Sequence, residues 1–164
     1  MATTDNIAYG TSTAITCTLA SLASSSTAGR SCVAVDNTTN KYDDAMVTIA
    51  VKTSASALAN DKACYVYVFG SEDGTVYLGS SAEAEGTDIA VTFDVPTNLK
   101  LAATISCPAS SVTYRAVIGS IASLFGGVMP RKWGFVLQNY TGQALDATEG
   151  NHQKTYTGIT YTNT

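Results

Sequence analysis

Apolar residues in this chain recur at every second position far more often than at helical spacing, a period that belongs to strands lying half-buried on a core. Ile15, Cys17 and Leu19 share one face while Thr16 and Thr18 take the other. The same alternation runs through Ala45-Val47-Ile49-Val51, Ile89-Val91-Phe93 and Leu99-Leu101-Ala103-Ile105. Lys62 to Phe69 differs: Cys64, Val66 and Val68 lie on one side and Tyr65, Tyr67 and Phe69 on the other. A strand apolar on both faces is predicted to lie centrally in its sheet, the alternative being that its aromatic face meets a partner. Farther on, Trp133, Phe135 and Leu137 share a face between Arg131 and Gln138, and a last strand is predicted over Thr155 to Tyr161.

Turn chemistry separates these runs, at Gly70 to Gly74, Glu85-Gly86, Pro96-Thr97-Asn98 and Thr141-Gly142. Asp73-Gly74 between apolar runs is a hairpin signal, because glycine adopts positive φ without steric cost. Ile118, Ile121, Ala122 and Phe125 fall at helical spacing before Gly126-Gly127, predicting one short helix within 117–125. About eight strands with regular turns predict an all-β fold, an antiparallel β-sandwich of jelly-roll or immunoglobulin-like type, with a closed barrel as the alternative. Residues 1–10, polar and without periodicity, read as an N-terminal arm that orders on a neighbour; 11–164 read as one sandwich domain.

At 164 residues one core can form without disulfides or metal. Only 13% of residues are charged, against about 25% in ordinary soluble domains, which predicts a surface that spends its life covered by neighbours. The net charge is −4 and the nine Lys and Arg residues are scattered, with Arg131-Lys132 the densest spot. Nucleic acid is therefore not an expected partner, since neutralising phosphates needs clustered cations. No apolar run approaches the length of a membrane helix, and Met1 to Gly10 lacks the pattern of an export signal, so synthesis in a cytoplasm without membrane insertion is expected.

Candidate chemistry is sparse. Cys17, Cys32, Cys64 and Cys107 have neither zinc-site spacing nor a nearby His, and they read as buried free thiols, with a disulfide between distant strands left open. The single histidine, His152, lies in a polar run and reads as a surface or interface residue rather than a general base. The acidic pairs Asp43-Asp44, Glu72-Asp73 and Glu83/Glu85 read as solvated turn charge. There is no nucleophile elbow, phosphate loop or dinucleotide fingerprint, so neither catalysis nor a cofactor is expected. Trp133 shares its face with Phe135 and Leu137 and reads as core. The candidate interface residues are Thr3, Thr4, Asp5, Asn6, Ile7 and Tyr9 of the arm, then Tyr65, Tyr67, Tyr140 and His152, with Tyr156 and Tyr161 beside them, because tyrosine suits surfaces dry at one end and wet at the other.

Three stretches carry a resemblance: TSTAITCTLASLA at 11–23, YVYVFGSEDG at 65–74, and FGGVMPRKWG at 125–134 running into NYTG at 139–142. In these the chain resembles small virion structural proteins of tailed double-stranded DNA bacteriophages, of the capsid decoration or cement type. The resemblance implies a β-sandwich homotrimer on the outer capsid surface at three-fold or quasi-three-fold positions. There it would bridge copies of the major capsid protein after synthesis in the host bacterial cytoplasm. Three rival readings use the same residues: a tail, neck or head-fibre subunit, a carbohydrate-binding module stacking sugars on Tyr65, Tyr67 or Trp133, and a β-sandwich hydrolase around His152.

Overall fold

The computed structural model describes residues 5–59, 62–77, 79, 85–93 and 97–163, which form two antiparallel sheets packed face to face as a β-sandwich. The first sheet runs β1 (Asp5–Tyr9), β11 (Gln153–Asn163), β5 (Asp44–Lys52), β9 (Thr113–Ile118), with β2 (Thr13–Ala14) also paired to β11. The second runs β7 (Ala90–Thr92), β3 (Ala28–Ser31), β10 (Lys132–Tyr140), β6 (Ala63–Ser71), β8 (Lys100–Ser106), with β4 (Val35–Asp36) also on β10. Chain neighbours β5 and β6, β8 and β9, and β10 and β11 sit in opposite sheets, so each connection helps close the sandwich.

The period-two faces explain the core. Val47, Ile49 and Val51 of β5 meet Val66 and Val68 of β6 and Trp133, Phe135 and Leu137 of β10 in a single buried cluster. Trp133 reaches from the second sheet to Tyr156 of β11 in the first, edge to face, with ring centroids 5.6 Å apart. Gly134 is required here because a Cβ would collide with the Phe69 ring and lie 2.7 Å from the Cys32 sulfur.

Departures from the expected pattern have local causes. Ile15, Cys17 and Leu19 are buried with the expected parity, but this extended segment pairs with no single strand. It is tied instead to two places, through Ile15 N–H on Lys154 O (2.8 Å) and Val33 N–H on Thr16 O (2.8 Å). In β8, Ala103 faces Val66 and Leu101 faces Tyr67, which makes Ala102 an extra, bulged residue. A bulge breaks the alternation, and Leu101 is left about half exposed.

Asp73-Gly74 does form a turn, with Gly74 at φ 83° and the Asp73 carboxylate accepting from Thr75 N–H at 2.7 Å and Val76 N–H at 2.9 Å. It is not the hairpin the dipeptide predicts, because the next strand, β7, pairs with β3 and not with β6. The helix expected within 117–125 is a 3-10 turn at Ala122–Phe125, preceded by the end of β9 and closed by Gly126 at φ 76°. A one-turn helix α1 (Asn37–Asn40) stands where none was predicted, its first turn capped by Asp36, which accepts from Thr38 N–H at 2.8 Å.

Candidate functional site

The candidate interface residues fall in separate places. Thr3 and Thr4 lie outside the described residues. Asp5, Asn6, Ile7 and Tyr9 form the edge strand β1, antiparallel to residues 159–163 of β11, so the segment read as an arm is a strand in this structure from Asp5 onward. Ile7 and Tyr9 are 55% and 63% exposed, and Tyr161, which faces Ile7 across the pair, is 55% exposed.

Tyr65, Tyr67 and Tyr140 occupy the outer face of the other sheet. Gln138 faces Tyr65 and Val136 faces Tyr67 across β10 and β6, and this face is partly covered. Phe93 packs on Tyr67 at 5.2 Å and Tyr77 packs edge-on to Phe69 at 5.4 Å. Both covering rings come from the long excursion between β6 and β8, which explains how Phe69 and Val136 reach 0% exposure on a face that looks outward. Burial, and then the neighbouring Tyr65, push the Tyr67 hydroxyl above its ordinary range. Tyr65 and Tyr140 stay half-buried, with rings 6.3 Å apart and tilted 39°. Trp133 is 1% exposed and cannot stack on a sugar, so the aromatic platform read from the sequence loses its largest member.

His152 corrects the sequence reading, being buried rather than on the surface. Nδ1 accepts from Lys52 N–H at 3.2 Å and Nε2 lies 3.1 Å from the Asp146 carbonyl oxygen. A backbone N–H needs a bare nitrogen and a carbonyl needs a protonated one, which fixes the neutral tautomer with its proton on Nε2. Both nitrogens are thus spent on backbone, and the ring holds β5, the loop before β11 and the start of β11 together. Tyr156 is likewise buried, against Trp133.

The acids are also more structural than solvated. Asp44 is buried and its carboxylate accepts from Ala45 N–H at 2.7 Å and Ala122 N–H at 2.8 Å, which positions the 3-10 turn. Glu85 is buried as well, and Glu83 lies outside the described residues. Glu149 reaches across the chain: one oxygen accepts from Leu19 N–H at 2.8 Å and Ala20 N–H at 2.7 Å, and the other is paired with Lys154. Asp88 plays the same part nearer β3, accepting from Thr18 N–H at 2.9 Å and Arg30 Nε at 2.6 Å. Together these two carboxylates pin the segment from Ile15 to Ala20 to both sheets.

At Glu149 burial opposes the charge, but the Lys154 ammonium and the two amides outweigh it and hold the carboxyl below its usual range. Asp88 is lowered in the same way, burial being outweighed by Arg30 and Thr18. At Asp146 hydrogen bonds from Asn151 and Thr148 lead, bringing it to about 2. A carboxyl lowered in the folded chain adds stability above its unfolded value near pH 4, and that stability is lost as pH falls through the folded value. The thermal midpoint is therefore expected to be level from pH 7 to about pH 5 and to fall from about pH 4 toward pH 2, with a shallower fall for Glu149→Gln. A midpoint unchanged down to pH 2 would contradict this assignment.

The four cysteines are free and buried. Burial pushes Cys32 up to about 12 and raises Cys17 as well. Such thiols are poor nucleophiles. Among the described residues no group of three or more His, Cys, Asp and Glu side chains could hold a metal ion, and no helix is long and apolar enough to cross a membrane.

The surface also exposes apolar and aromatic side chains. The sequence reading missed Val117 on the outer face of β9, 55% exposed, and Val128 beside Gly126-Gly127, 71% exposed. Alternation could have flagged Val117, which lies between inward-facing Ala116 and Ile118. No family model, curated protein or solved structure matches the chain.

Proposed function

We propose that the chain is a virion structural protein, a decoration or cement subunit that self-associates and clamps a lattice of major capsid protein from outside. The observation that carries the reading is a charge-poor sandwich that leaves Ile7, Tyr9, Tyr161 and Val117 exposed on strands of one sheet, besides Leu101 on the other and Val128 in a loop. The only histidine is locked into backbone contacts, and three of the cations, Arg30, Lys52 and Lys154, are tied into ion pairs with Asp88, Asp146 and Glu149. Such a surface suits packing against protein rather than chemistry or phosphate binding.

The mechanism is mass action. A subunit that binds the assembled lattice and not its parts stabilises the lattice by a term that grows with concentration over Kd. An oligomer, with a trimer matching a three-fold position, makes its second and third contacts at high effective concentration, so weak individual contacts suffice.

The test adds purified protein to undecorated heads of a tailed phage and images them by cryo-electron microscopy. Saturable density at fixed lattice positions is expected, together with a higher melting temperature of the decorated heads. Density confined to the neck or tail would move the protein within the virion, and no density anywhere on particles would end the reading.

A further inference from the structure

We propose that β1 is completed by β1 of a second copy of this chain, antiparallel and about a two-fold axis passing through Ile7. The contact stands whether or not the chain coats a capsid, and being two-fold it is distinct from the contact that would close a trimer. Its starting point is how far the first sheet extends. β5 backs β11 only as far as Ile159, which faces Asp44, whereas β1 faces residues 159 through 163. Four of the five β1 pairs, from Asp5–Asn163 to Ala8–Thr160, therefore belong to a two-stranded ribbon that projects past the rest of the sheet. Both of its faces are open: Ile7, Tyr9 and Tyr161 are more than half exposed on one, and Ala8 is exposed on the other. A two-stranded ribbon is marginal in water, and further strands with a shared apolar face make it stable.

The two edges of the ribbon are treated differently. On the β11 side Asp43 stands in for the missing strand: its N–H donates to Ile159 O at 2.9 Å and its carboxylate accepts from Tyr161 N–H at 2.8 Å. On the β1 side Gly10 N–H donates to Gly158 O at 2.8 Å, which sets the alternation along the pair. Asn6, Ala8 and Gly10 then turn their backbone groups toward β11, while Ile7 and Tyr9 turn theirs outward, where no described segment pairs with them. Edge strands are ordinarily blunted by charged side chains, Pro or a bulge, and Asp5–Tyr9 carries none of these beyond the acidic residue at its start.

The occupant argued for is a second copy because the strand complements itself. Centred on Ile7, the antiparallel register sets Ile7 opposite the partner's Ile7 and each Tyr9 position opposite the partner's Asp5. That keeps the two acidic positions at opposite ends of the contact. Copies of net charge −4 repel at a distance, and the strip formed by Ile7, Tyr9, Tyr161 and Ile159 has no charged side chain, which keeps like charges away from the centre of the contact. The product is a four-stranded sheet, β11-β1-β1-β11, with Ile7, Tyr9 and Tyr161 of both copies on one face.

The experiment is sedimentation velocity over a wide concentration range on the full chain, on Ile7→Pro and on Tyr9→Lys, with circular dichroism and thermal unfolding of each. Proline at position 7 removes only an outward N–H, leaving the bonds between β1 and β11 in place. Two such bonds are lost per dimer by symmetry, and the monomer–dimer midpoint is expected to rise about thirtyfold with the spectrum unchanged. Tyr9→Lys, at an exposed side chain, weakens the dimer in the same direction and serves if the proline variant misfolds. Amide exchange at Ile7 and Tyr9 is expected to slow with concentration, while that at Ala8 is protected throughout. A chain that stays monomeric at every concentration, or an oligomer that neither variant weakens, overturns the proposal. Capsid binding by a chain with no such dimer would leave the decoration reading standing alone; a variant-sensitive dimer that ignores capsids would do the reverse.

Discussion

Trp133→Ala is expected to cost about 3–5 kcal/mol, among the largest effects of any single truncation in this chain. The side chain is 1% exposed and bridges the two sheets through its edge-to-face contact with Tyr156. No neighbouring strand can collapse into the space without breaking the register of β10 with β6, which runs unbroken from Lys132 to Tyr140. Urea unfolding followed by tyrosine fluorescence and circular dichroism measures the loss. A variant with wild-type stability that fails only in binding would place Trp133 on a surface and refute the face assignment of β10.

A loss of about 2–3 kcal/mol is expected for Asn139→Ala, for a different reason. Asn139 is 1% exposed and its amide is fully used: Nδ2 donates to Leu22 O at 2.8 Å and Gln143 O at 2.7 Å, and Oδ1 accepts from Thr141 N–H at 3.1 Å and Thr141 Oγ1 at 2.7 Å. Truncation strands the Thr141 amide in a dry site, at about 1–3 kcal/mol if nothing replaces the partner, and takes one of two donors from each carbonyl, since Leu22 O keeps Leu145 N–H at 3.0 Å and Gln143 O keeps Thr141 Oγ1 at 2.9 Å. Asn139→Asp should not rescue it, because a carboxylate cannot donate to the two carbonyls. Thermal unfolding of both variants decides the matter. Stability within about 0.5 kcal/mol of wild type would mean that water takes over the contacts.

The parts of the fold legible in the sequence were those set by near neighbours. Alternation placed β5, β6 and β10, and it assigned Trp133, Phe135 and Leu137 to the core because strand parity is a local property. The parts hidden from it depend on what packs against a strand from far away. Val136 lies on the outer face of β10, opposite to Trp133 and Phe135, yet it is covered; Leu101 reads as inward, yet the bulge at Ala102 turns it out. His152 lies among Gly150, Asn151 and Gln153, a polar context that predicts solvent, and only tertiary structure brings Lys52 N–H and Asp146 O to its two nitrogens. The strand at Asp5–Tyr9 was hidden for the opposite reason. Asp5–Tyr9 has too short an apolar pattern to announce a strand, and its pairing partner is residues 159–163, at least 150 positions away.

That separation bears on how the protein is made. The first sheet joins its earliest strands, β1 and β2, to its last, β11, and the buried segment from Ile15 to Ala20 is held by Glu149. A chain emerging from the ribosome therefore lacks the contacts of the Ile15 to Ala20 segment with Glu149 and Lys154 until residues past 149 leave the exit tunnel. The second sheet is similarly delayed, since β3 and β6 flank β10. Contacts of such long range make folding slow and concentrate the hazard of aggregation in the interval of synthesis. Yield in a cell is thus expected to respond to translation speed and chaperone supply more than to changes in the stability of the finished sandwich.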